Sequence, residues 1–181
     1  MPRHAHLNFA LLLVLCVLGL ATAAAYATDP EIVGGTQYSN RVQQALHLLA
    51  TRDPDTYAIV TNNIGRIHES EHSGMRAPET PPTYDMSDVT ANYSVTWCAA
   101  TIAHDSYHSK LYHDYLKTHT GPVPEDVWTG THAEQECMQH QLAVMQHIGC
   151  PAAEINWAKT QADGHYINDP NNGGDYNHRK W

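Results

Sequence analysis

Cys98-Ala-Ala-Thr-Ile-Ala-His-Asp-Ser-Tyr-His-Ser-Lys-Leu-Tyr112 is the stretch that decides the fold of this chain. It lies within residues 92–117, where apolar side chains recur every three or four positions, as they do on one face of an α-helix. His104 and His108 are four residues apart and continue that inward face. A buried imidazole needs a partner for each nitrogen. Two inward histidines one turn apart, with Asp105 beside them, therefore indicate a shared metal ion.

A second amphipathic helix is predicted to end at Gly149 and to carry a third ligand. Its apolar stripe consists of Cys137, Met138, Leu142, Met145 and Ile148. Glu134 extends this stripe, and an inward carboxylate needs a cation or a hydrogen-bond donor. We therefore predict Glu134 as the third metal ligand. Two alternatives stay open: Glu134 completes a capping box with Thr131, or Glu136 on the wetter face is the ligand.

The other segments predict a small sheet beside these helices. The pattern indicates a helix at 40–51 capped by Ser39, a strand or helix at 57–63, a strand at 64–70, a loop at 71–82, an edge strand at 83–90 and a short helix from Glu154. With 181 residues, the chain has room for one domain. We predict a mostly helical α+β fold, with a short sheet beside the metal helix.

The first 27 residues have the pattern of a signal peptide. Arg3 gives a weakly positive start, Phe9–Leu20 is apolar, and Ala25-Tyr-Ala27 fits a small-x-small cleavage site. The apolar run is short for a membrane span, although a retained anchor is the alternative. We expect residues 28–181 to form a single exported domain with an irregular C-terminal tail. It would be secreted or periplasmic, without stable membrane insertion.

Composition narrows the classes of partner. The formal net charge is −9, which argues against a surface that binds nucleic acid. The three cysteines after residue 27 cannot all pair with one another.

Two further patterns of potential metal ligands are weaker than that of His104, His108 and Glu134. His68 and His72 stand in a polar stretch without an apolar face, and Asp169–Asp175 lacks the regular spacing of a calcium loop. The sequence leaves the oligomeric state open.

Two short motifs carry a resemblance to a known family. His104-Asp-Ser-Tyr-His108 and Glu134-Gln-Glu-Cys137 resemble the two metal helices of gluzincin-type zinc metallopeptidases, which carry His-Glu-x-x-His and a later glutamate. The resemblance covers about Val95 to Ile148. This chain departs from the pattern in having Asp at position 105.

The resemblance implies a zincin-like domain and a zinc-dependent peptidase acting on a peptide or protein substrate. In that case His104, His108 and Glu134 would bind Zn²⁺, and Asp105 would be the general base for a zinc-bound water. The resemblance also calls for a second oxyanion donor, for which His165 or Tyr166 is our candidate.

Two other functions are compatible with these residues. One is a catalytically inactive zinc-binding module on the same scaffold, because Asp is one methylene shorter than Glu. The other is an HD-type metal phosphohydrolase built on the His104-Asp105 pair. Those enzymes usually act on intracellular nucleotides, so the export pattern and the acidic charge weigh against them.

Overall fold

The computed structural model describes residues 28–164, with side chains for residues 28–160. Its elements make a mostly helical α+β fold, as the sequence predicts. They run in the order β1 (Glu31–Val33), α1 (Thr36–Arg52), α2 (Pro54–Asn63), β2 (Arg66–Ser70), β3 (Gly74–Arg76), β4 (Thr83–Ser87), α3 (Asp88–Tyr93), α4 (Val95–Thr118), α5 (Glu125–Trp128), α6 (Thr131–His147) and α7 (Ala152–Gly164). Across residues 28–164, no helix combines the length and apolar character needed to cross a membrane.

The four strands form one mixed sheet in the order β1-β2-β4-β3. The β1–β2 and β2–β4 pairs are parallel, whereas β3 runs antiparallel to β4. Ile67 of β2 lies opposite Tyr84 of β4, which in turn lies opposite Met75 of β3. These three side chains are buried, so one face of the sheet contributes to the core.

The prediction of an edge strand at 83–90 is wrong. β4 lies inside the sheet between β2 and β3, and it ends at Ser87, where α3 begins. Thr83 and Ser87 are both buried, so the strand is covered on both faces and shows only weak alternation. The edge strand beside β4 is β3, within the segment predicted as a loop. Its three residues are too few for a periodic pattern to show.

Helix α4 is the centre of the fold. It packs against α1, α2, α3, α5 and α6, and against strands β3 and β4. Ser94 caps its start, where the Ser94 hydroxyl accepts a hydrogen bond from the Trp97 backbone N–H at 2.9 Å. Ala99, Ala100 and Ala103 are completely buried, and their small side chains allow the neighbouring elements to approach closely.

The sequence signals for the start of a helix are weak at α1 and strong at α2. α1 begins at Thr36 after Gly35, four residues before the predicted start, so Ser39 is inside the helix and is not its cap. α2 resolves the ambiguity of residues 57–63 in favour of a helix. The Asp53 carboxylate accepts from the Thr56 N–H at 3.2 Å, and Pro54 occupies the first helical position, where proline is well tolerated.

The alternative in which Thr131 caps α6 and Glu134 completes a capping box is wrong. Gly130 is the N-cap, and Thr131 is already the first helical residue. The helix ends at His147, and the glycine predicted to stop it, Gly149, follows the C-cap Ile148 with a positive φ of 77°. α7 then packs on α6 and is tied to the start of α4. There, the Glu154 carboxylate accepts hydrogen bonds from the hydroxyls of Ser94 and Thr96, both at 2.7 Å.

Candidate metal centre

Helices α4 and α6 pack face to face and bring three potential ligands together. His104 and His108 project from successive turns of α4, and their Nε2 atoms are 3.0 Å apart. Glu134 projects from the first turn of α6, with its Oε2 atom 3.3 Å from His104 Nε2 and 3.4 Å from His108 Nε2. The structure therefore joins the residues that the sequence predicts as ligands, although they come from two helices.

The spacing of these atoms fits a metal ion. A tetrahedral ion with ligand bonds of about 2.0–2.1 Å separates its ligand atoms by about 3.3 Å. The three separations observed here, 3.0, 3.3 and 3.4 Å, lie close to that value. This buried His-His-Glu group could hold a metal ion. Two imidazoles and one carboxylate suit Zn²⁺, and they also suit Fe²⁺, so the donor set alone does not identify the metal.

The group is deeply buried. The exposed fractions of the His104, His108 and Glu134 side chains are 8, 1 and 2%. Burying a carboxylate and two imidazoles is costly unless each is paired. His104, His108 and Glu134 therefore face inward, as predicted. A cation bound between them would offset the cost of burying the carboxylate.

The orientation of His108 is fixed by a backbone group. Its Nδ1 lies 2.6 Å from the carbonyl oxygen of Trp128, at the end of α5. A carbonyl oxygen only accepts, so Nδ1 carries the proton and donates it. In the neutral imidazole, Nε2 then keeps its lone pair and points it toward Glu134 and His104. This is the tautomer that a ligand at Nε2 requires.

The charges of the group are strongly coupled. Burial alone would raise the pKa of Glu134, but His108 and His104 outweigh it and hold that pKa far below its usual range. Burial likewise disfavours the charged form of His108, yet Cys137 and Glu134 raise its pKa well above the ordinary value. Glu134 is therefore a carboxylate, and it stabilises positive charge between itself and the histidines.

Asp105 is buried at the same junction, with 8% of its surface exposed. It follows His104 on α4, and the charge on its carboxylate acts on two neighbours. It raises the pKa of the Tyr84 hydroxyl, although burial of Tyr84 is the larger cause. It also raises the pKa of the Cys137 thiol, which burial raises more. Asp105 is thus within electrostatic range of Tyr84 in the sheet and of Cys137 on α6.

Two parts of the site escaped the sequence prediction. Cys137 is completely buried one turn after Glu134 and is among the groups that raise the pKa of His108. Its position three residues after a predicted ligand was a usable signal. The Trp128 carbonyl offered none, because every residue has such a backbone group and the sequence pattern does not show which one faces a site.

The remaining candidates lie elsewhere. Glu136 pairs with His132 at 3.1 Å on the exposed side of α6, away from the two histidines of α4. His68 pairs with Asp85 at 2.9 Å on the sheet. His165, Tyr166, the loop at 169–175 and the signal-peptide segment at 1–27 fall outside the described residues.

The cysteines of the described region are unpaired. Cys98, Cys137 and Cys150 are all buried and free, so no disulfide joins them.

Comparison of the chain with protein-family models, with curated proteins and with solved structures finds no match. A functional assignment therefore depends on the chemistry of the buried His-His-Glu group.

Proposed function

We propose that this protein is a zinc-dependent hydrolase of the metallopeptidase type, with His104, His108 and Glu134 as the zinc ligands. One observation carries the proposal: the three ligand atoms from two helices converge at separations of 3.0–3.4 Å in a buried junction. When bound, a zinc ion supplies Lewis-acid chemistry and brings the pKa of a coordinated water to about 7.

The chain's own residues have distinct tasks in this proposal. The Trp128 carbonyl orients His108, and Glu134 neutralises charge between the histidines. Asp105, next to His104 at the same junction, accepts a proton during hydrolysis. Acyl transfer also needs a donor for the developing oxyanion, and we retain His165 or Tyr166 as candidates for it.

A peptide substrate is supported by the sheet. β3 is its terminal strand beyond β4, and it packs against α4, the helix that carries both histidines. An extended peptide can add to such an edge through backbone hydrogen bonds. A peptide added to this edge would pair with a strand that itself packs on the histidine helix.

A second candidate is a zinc-binding module without catalytic activity. The burial of the His-His-Glu group favours it, because a substrate carbonyl must reach a catalytic metal and these side chains are 1–8% exposed. The short side chain of Asp105 favours it as well. In this case the metal would hold α4 and α6 together.

Metal analysis of purified variants tests the site. We expect equimolar zinc in the wild-type protein and loss of zinc in His104→Ala and in Glu134→Ala. Glu136→Gln is the matched control, because it removes a carboxylate from the exposed side of the same helix and should retain zinc. Full zinc retention in Glu134→Ala would remove Glu134 from the ligand set. Absence of zinc from the wild type would overturn the proposal.

A further inference from the structure

Helix α5 is only lightly attached to the metal junction. It has four residues and none of them is buried, whereas α1 buries five side chains and α2 buries two. Trp128 packs against the core only in part. The polar contact that joins α5 to α4 is the 2.6 Å hydrogen bond from His108 Nδ1 to the Trp128 carbonyl, and the Trp128 ring also meets Tyr112 edge-on. Little packing would therefore be lost if α5 moved away.

α5 also touches both halves of the His-His-Glu group. Its last residue, Trp128, accepts the hydrogen bond from His108 of α4. Two residues later, Gly130 is the N-cap of α6, and its carbonyl oxygen accepts a hydrogen bond from the Glu134 backbone N–H at 3.0 Å. Because the ligand side chains are only 1–8% exposed, a metal ion or a substrate reaches them only after a neighbouring element moves. α5 packs against both metal helices and buries no residue of its own, so it is well placed for that movement.

Glycine residues stand at both ends of this segment. Gly121 has a φ of 105°, which is in the left-handed region that favours glycine. Gly130 allows a close approach, because a Cβ added there would lie 3.0 Å from the Cα atom of Asp126. Hinged lids often have small residues at the positions where their backbone turns.

We propose that residues 121–130 form a movable cover of the metal centre. The inference rests on the proposed metal site and concerns its regulation. In the closed state, the Trp128 carbonyl accepts the hydrogen bond from His108, and the ligand group is shielded from solvent. Opening breaks this hydrogen bond and admits the metal ion or the substrate. A cover of this kind makes the 1–8% exposure of the ligands compatible with hydrolysis, and it makes opening the step that limits metal exchange.

Release of zinc to an excess of a chromogenic chelator measures the opening without an activity assay. For the zinc-loaded, full-length wild type, we expect the rate to reach a plateau as the chelator concentration rises, because opening then limits release. Trp128→Ala keeps the backbone carbonyl and removes the ring contact, so it should raise the plateau about 2- to 10-fold. Trp157→Ala is the matched control. It removes an edge-on ring contact of α7 with Trp97, where the ring centroids are 5.0 Å apart, and should leave the plateau unchanged.

A second variant acts on the cover without removing a contact. The Cβ of Gly130→Ala would approach the backbone of Asp126, so α5 must shift, and the plateau should rise while equimolar zinc stays bound. This variant provides the test if Trp128→Ala does not fold. A release rate proportional to chelator concentration, or a plateau that neither variant raises, would overturn the cover and leave the metal site intact. Failure of the wild type to bind zinc would instead overturn the proposed function on which the cover depends.

Discussion

Asp105 is one methylene shorter than the glutamate that gluzincins carry at the matching position of their motif. A general base displaced by about 1 Å can lose about 100-fold in rate. If the protein is a peptidase, we expect Asp105→Glu to raise peptide hydrolysis by up to about 100-fold. The measurement is kcat/KM on a mixed peptide library with zinc-loaded protein.

The matched control at this residue is Asp105→Asn, which keeps the size of the side chain and removes its basicity. It should retain zinc and lose hydrolysis. Hydrolysis by Asp105→Asn at the wild-type rate would exclude Asp105 as the base. No hydrolysis by any of the three proteins, with zinc bound in each, would favour the non-catalytic module.

At the level of elements, Asp53 joins three helices. It ends α1, caps the start of α2, and lies 2.8 Å from Nδ1 of His147 in the last turn of α6. Burial would raise the pKa of Asp53, but the hydrogen bonds from His147 and Thr56 lower it below the ordinary value of 3.8. A lowered folded pKa stabilises the protein at a pH above the unfolded value, and this stabilisation is lost as the pH falls through the folded pKa.

Asp53→Asn should therefore destabilise the protein in a pH-dependent way. Asn caps helices as well as Asp does, so the change isolates the charge. His147 is largely exposed, so we expect a loss of only about 0.5–1 kcal/mol near pH 6, shrinking as the pH falls below about 3.8. Urea unfolding across this range gives the difference. Asp53→Ala also loses the cap and should cost about 0.5–2 kcal/mol more. A difference that grows in acid would contradict the assignment.

The end of α6 depends on the backbone of Gly149. Its φ of 77° is in the left-handed region, and a Cβ added there would touch nothing within 4 Å. The cost of Gly149→Ala is therefore conformational, and we expect about 1 kcal/mol by thermal or urea unfolding. Gly149→Asn should lose less, because Asn tolerates this region better. Equal stability of the Ala variant and the wild type would contradict the positive φ.

Sequence patterns predicted the long elements of this fold better than the short ones. α4 and α6 each show apolar periodicity over several turns, so their inward faces, including His104, His108 and Glu134, could be read directly. β3 and α5 have three and four residues, which is little more than one period of the strand or helix pattern. The place of β4 inside the sheet depends on pairing with distant segments, and no local pattern reports that.

At the scale of the whole molecule, the proposed metal would crosslink α4 to α6. A ligand that binds only the folded state stabilises it, by about 2.7 kcal/mol at a concentration 100 times its Kd. We expect a chelator to lower the melting temperature and added Zn²⁺ to restore it. Ca²⁺ is the control ion, because it prefers oxygen ligands and should not restore stability. A melting temperature that changes with neither the chelator nor Zn²⁺ would argue against the crosslink.

The contact between His108 and Trp128 gives the protein its own optical reporter. The backbone carbonyl of Trp128 accepts a hydrogen bond from the His108 imidazole. The indole ring of the same residue packs edge-on against Tyr112, with ring centroids 5.4 Å apart. A movement of His108 therefore changes the surroundings of the Trp128 indole, which is fluorescent. Occupancy of the junction should therefore change the emission of Trp128, so that binding can be followed in real time without an attached dye.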